Sequence, residues 1–104
     1  MDARGVADTV AADLRDLYGS HLRAVLLFGS WARGDADAES DLDLLVVLDS
    51  VVSVWEEQKR MDDVLWRRLL ENGIVVSAMP VAQSDLSRKA PFLVGAQAEG
   101  VVVG

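Results

Sequence analysis

Apolar positions along this chain change rhythm several times, and each rhythm predicts an element. Val6, Val10, Leu14 and Leu17 recur at helical spacing, which predicts an amphipathic helix over about 4–18, stopped by Gly19. Two apolar runs follow, at 24–28 and, interrupted only by Asp43, at 42–48, each bounded by turn residues. Runs of that length read as buried strands, so they form a hairpin-like core with an unusually long connection. Asp49-Ser50 reads as the start of a second helix over about 51–72. Its apolar side carries Val51, Val54, Met61, Leu65 and Leu69, its outside carries Glu56, Glu57, Lys59, Arg60 and Arg67, and Asn72-Gly73 stops it. Residues 74–81 read as a third strand ended by Pro80. Ser84 is placed to cap a short helix over about 85–90, Pro91 opens another over about 91–99, and 101–103 can add a small strand. The expected fold is α/β (α+β): a small mixed sheet of three to four strands with helices packed mainly on one face.

The connection between the first two strands carries the candidate chemistry. It opens with Gly29-Ser30 and closes on Asp41-Leu42-Asp43. Side chains alternate along a strand, so Asp41 and Asp43 point to one face, roughly 6–7 Å apart along the backbone, and Leu42 points to the other. Two ionised carboxylates that close repel, and a hard dication relieves the repulsion; Mg²⁺ in particular is held by one or two carboxylates plus substrate phosphates. A bare D-x-D also occurs as a solvated pair at a strand start. Gly29 lets the backbone turn or approach a ligand closely. A helical turn at Ser30-Trp31-Ala32-Arg33 would aim free N–H groups at an anion, with Gly34 ending it. This is neither a Walker A loop, which needs G-K-[ST], nor an EF-hand, whose glycine and final glutamate are replaced by Ser40 and Val46. With no cysteine and a single histidine, His21, a zinc centre is not expected.

Composition narrows the reading. The chain has 104 residues, enough for one domain, expected to span 1–104. Its 51% hydrophobic content argues for a packed core. Neither a membrane span nor a signal-peptide pattern is evident, and a cytoplasmic location is expected. The formal net charge of −7 disfavours a nucleic-acid partner. Five of the 17 acids fall between Asp35 and Asp43, a concentration that suits a cation site. Trp55 and Trp66 are expected in the core or an interface, and Trp31, inside the loop, is a candidate to stack on a base.

Gly29-Ser30, ten intervening residues and Asp41-x-Asp43 resemble the G-S-x10-D-x-D signature of the DNA polymerase β-like nucleotidyltransferase superfamily. The text GSWARGDADAESDLDLLV is most similar to its minimal nucleotidyltransferases, the MNT group. The resemblance implies that Asp41 and Asp43 bind Mg²⁺ and act catalytically. It implies that Gly29 and Ser30, with Arg33 as a further candidate, hold the phosphates of an NTP. It implies transfer of a nucleoside monophosphate, AMP from ATP, to an acceptor. Members of the group pair with a helical HEPN-domain toxin and act as antitoxins, so a protein partner of that type, or a second copy, is expected. The alternative is a catalytically weak or inactive module that binds nucleotide or protein.

The alternative has a specific motive. Active members of the superfamily place a third acid on a later strand, facing the D-x-D pair. The strand here reads IVVSAMP. Ser77 is its only polar side chain and is expected to stand where that carboxylate would be. Asp49 lies too far along its own strand to substitute, whereas Glu39 or Asp85 could approach if the chain folds back.

Overall fold

The computed structural model describes residues 3–28, 41–85 and 101–103. Helix α1 spans Ala3–Tyr18, and a 3-10 turn, Gly19–His21, leads into strand β1, Leu22–Phe28. Strand β2 is Leu42–Leu48, helix α2 is Val54–Asn72 and strand β3 is Val76–Ala82. A 3-10 turn at Gln83–Asp85 and the two-residue strand β4, Val101–Val102, complete the described elements. The sheet order is β3-β2-β1-β4. β1 runs antiparallel to β2 and β4, and β2 runs parallel to β3, so the sheet is mixed as expected. A parallel pair needs a crossover, and α2 supplies it.

Both helices pack on one face. Val6, Val10 and Leu14 of α1 and Met61 of α2 are fully buried against Leu42, Leu44 and Val46 of β2. Each such leucine contributes roughly 1.5–3 kcal/mol by leaving water. The opposite face of β2 packs Leu45 and Val47 against Leu26 and Val81 in a smaller cluster. β2 is therefore apolar on both faces beyond Asp43, which is why its sequence reads as an unbroken run rather than an alternation.

Several boundaries differ from the sequence reading for identifiable reasons. α1 closes its buried stripe on Tyr18, while Leu17 is 41% exposed. α2 starts at Ser53, whose Oγ accepts a hydrogen bond from the Glu56 N–H at 3.3 Å, and not at Asp49-Ser50. Asp49 is occupied by His21 Nδ1 at 2.7 Å, a contact 28 residues away that no local pattern reveals. The buried stripe of α2 is Met61, Val64 and Arg68, so the helix is rotated from the expected face; Val54 is half exposed, and Leu65 is only partly buried. Trp55 and Trp66 are 67% and 61% exposed and do not belong to the core. β3 continues through Pro80 to Ala82 because it is the sheet edge, where a missing N–H costs no ladder bond. Gly73 closes α2 in the left-handed region at φ 69°, donating its N–H to Leu69 O at 2.9 Å. The helices expected within 86–99 lie outside the described residues.

Candidate functional site

Asp43 is the second residue of β2 and has a neighbour on each side: Phe28 of β1 and Ser77 of β3. Residues side by side in a ladder share a face. Alternation then sets Asp41, Asp43 and Ser77 on the face that Leu45, Val47 and Val81 occupy further along, away from the two helices. Leu42, between the acids, is fully buried in the main core and donates its N–H to Val75 O at 2.9 Å. The carboxylate pair thus rides on a backbone fixed by packing below and by a ladder bond to β3.

Asp41 is exposed and Asp43 is half-buried. Burial, and after it the charge of Asp41, push the Asp43 carboxyl above its ordinary value. A carboxylate so placed favours a nearby cation. Among the described residues no group of three or more His, Cys, Asp or Glu could hold a metal ion. The donor set suits Mg²⁺, which completes its shell with water and substrate phosphates, and does not suit a closed structural metal centre.

A groove of about 730 Å³ adjoins Asp41 between α2 and the outer edge of β3. Asp41 and Ser77 stand at one part of its lining; Gln58, Asp62, Asp63, Leu65, Trp66 and Val75 form others. Gln58 Nε2 donates to Ala78 O at 2.8 Å and ties the helix to the strand edge. The sequence reading did not find the α2 residues. Asp62-Asp63 reads as an ordinary solvated helix face, and the one available signal was that Trp66 follows Asp62 by a helical turn on that same face.

The remaining candidates separate. Asp49 lies at the opposite end of β2, beside His21; the hydrogen bond from His21 holds its carboxyl below the ordinary value. Asp85 follows the far end of β3, past Ala82, which pairs with Leu48, so it cannot reach Asp43. His21 is exposed and serves as the partner of Asp49. Gly29, Ser30, Trp31, Arg33 and Glu39 lie outside the described residues.

The family model described as a nucleotidyltransferase domain matches residues 7–92. The chain belongs to the nucleotidyltransferase family. Among its relatives are provisionally named protein adenylyltransferases of Methanocaldococcus jannaschii. One is 32% identical over 76 residues, covering 73% of this chain and 70% of the relative. Another is 31% identical over 93 residues, 86% of this chain but 63% of that longer relative. The fold is shared with a provisionally named nucleotidyltransferase from Sulfolobus solfataricus, at TM-score 0.64 and 19% identity over 96% of this chain and 81% of that one. It is also shared with a toxin–antitoxin structure containing AMP-PNP, at TM-score 0.60 and 18% identity over 91% of this chain and 70% of that one. A nucleotidyltransferase is an enzyme of group transfer, which is the class the family resemblance implied. No described helix is long and apolar enough to cross a membrane.

Proposed function

We propose that this nucleotidyltransferase moves AMP from ATP onto a hydroxyl of a partner protein, with Asp41 and Asp43 as the ligands of Mg²⁺. The observation that carries the reading is the placement of Asp41, Asp43 and Ser77 on one face of adjacent strands, beside a groove. The relatives' names support protein as the acceptor class. The toxin–antitoxin neighbour supports a protein partner; that the partner is a helical HEPN-type toxin, with the chain as its antitoxin, follows from the family resemblance alone.

Bound Mg²⁺ would supply charge neutralisation of the triphosphate and of the oxygens in flight. Asp41 and Asp43 would hold it from the one face their carboxylates share, and its charge would favour the ionised form of Asp43. Gly29 and Ser30, which follow Phe28 in the chain, would bind the β- and γ-phosphates, and Arg33 would add a charge-assisted contact. The acceptor oxygen forms a bond to the α-phosphorus, and the bond from that phosphorus to the bridging oxygen breaks. Pyrophosphate leaves with the bonding pair, and the hydroxyl proton passes to water. Ser77, next to Asp43, can donate or accept a hydrogen bond but cannot take that proton at neutral pH. Transfer is therefore slow, with Ser77 standing where a third carboxylate would serve as base.

A second reading rests on the same residue. With serine beside Asp43, and no three-ligand metal cluster among the described residues, the chain could bind nucleotide and partner without turnover. Incubation with Mg²⁺, ATP labelled at the α-phosphate and extract of the native cell separates the two. Label on a protein band, abolished by Asp43→Asn, is expected; ATP binding without any label would favour the module.

A further inference from the structure

We propose that the groove between α2 and the edge of β3 is the docking cleft for the acceptor protein, and that Asp62, Asp63 and Trp66 select a basic, amphipathic segment of it. The inference rests on the transfer reading above and extends it to the second substrate.

Sheet order gives the direction of approach. An in-line displacement sets the attacking oxygen opposite the leaving pyrophosphate. The acids sit on β2, and β3 lies beside it at the edge of the sheet. The groove reaches Asp41 and Ser77 from that edge, and the attacking hydroxyl enters there. There it forms the new bond to phosphorus and loses its proton to water as pyrophosphate departs.

The lining gives the chemistry of the occupant. Trp66 is 61% and Val75 47% exposed, a hydrophobic surface large enough to receive an apolar side chain. Asp62 and Asp63 are exposed beside it, and no basic side chain lines the groove among the described residues. Such a surface complements lysine or arginine spaced among apolar residues. A second copy of this chain, at net charge −7, would bring like charge to the same acids.

Strand addition is hindered. Val75 O accepts from β2, so by alternation the groups of residues 76, 78, 80 and 82 face outward. Among them Ala78 O is taken by Gln58, and Pro80 has no N–H. These two interruptions in the edge favour docking through side chains over a further strand, which suits a helical segment.

The test uses the full chain and two dye-labelled peptides read by fluorescence anisotropy. One carries lysines and leucines around a single tyrosine; its twin replaces the lysines with glutamates. The basic peptide is expected to bind more tightly, with salt weakening it. Asp62→Asn/Asp63→Asn should weaken it roughly fivefold, as two exposed charge pairs would. Trp66→Ala should weaken it about tenfold. All three side chains are exposed, and thermal melts check that the variants fold; Asp16→Asn, on the exposed side of α1, is the control and should change nothing. Equal binding of the twins, or binding untouched by both variants, overturns the proposal. So does displacement in which spermidine, and not the peptide, depends on the acids, since the occupant would then be a small cation. Mg²⁺-dependent ATP binding is titrated separately. Its absence from the wild type counts against the transfer reading, while the peptide result decides the groove.

Discussion

At Asp43 three influences meet: the wall of β1 and β3 on either side, the charge of Asp41, and the buried Leu42 that locks the backbone. Because its folded-state pKa is raised, Asp43 opposes folding once it ionises. Its contribution is favourable below the unfolded value and is lost as pH rises through the folded one. Asp43→Asn should therefore melt slightly higher than the wild type at neutral pH without metal, and that advantage should vanish when the melt is repeated in acid. Unchanged or lower melting at neutral pH would contradict the raised value. Ser77→Asp tests the neighbouring position: with a carboxylate beside Asp43, transfer to the native acceptor should become faster, measured as labelled product per unit time. Tyr18 marks a different kind of residue. Its hydroxyl is buried without a partner among the described residues, and burial, then the Glu57 charge, against a smaller opposing effect of Arg60, push its phenol up to about 12. Tyr18→Phe keeps the ring and removes the orphaned hydroxyl, so chemical denaturation should show a gain of about 1 kcal/mol.

Among the elements, α2 does the most to join site and core. It is held at both ends by local chemistry: Ser53 caps the start, and Gly73 ends it at φ 69°. No atom lies within 4 Å of a Cβ added at Gly73, so Gly73→Ala should cost only its backbone strain, about 1 kcal/mol in an unfolding titration. Its buried Arg68 reaches Glu71 at 3.1 Å, Asn72 Oδ1 at 3.3 Å and, across the helix interface, Asp13 of α1 at 3.5 Å. The last contact is ionic but lies outside hydrogen-bond geometry, which leaves Arg68 Nε and Asp13 Oδ2 without hydrogen-bond partners. These details mark what the sequence could and could not reveal. The Asn72-Gly73 stop, β2 with its D-x-D pair, and the Ser77 position were readable, because each rests on local spacing or alternation. The true start of α2 was not, since His21 draws Asp49 away from a capping role. Nor was the burial of Arg68, which α1 makes possible; and for Trp66 the sequence left core and interface both open, where the structure exposes it. The groove was unreadable for the same reason: its two walls meet only after β3 crosses over beside β2.

At the scale of the molecule, the fold segregates its work by face and by end. Both helices cover one face of the sheet, leaving the D-x-D pair on the other, where packed residues continue only from Leu45 onward. One end of β2 carries Asp41 and Asp43; the other carries Asp49 in its pair with His21. An acidic chain of net charge −7 repels a polyanionic triphosphate as well as nucleic acid, so the proposed function makes nucleotide binding conditional on a dication. That dependence is the central claim, and calorimetric titration of ATP tests it most directly. The account expects measurable affinity in the presence of Mg²⁺, loss of it in EDTA, and loss in both Asp41→Asn and Asp43→Asn variants that still fold. ATP affinity that is the same in EDTA, or unchanged in both variants, would contradict it.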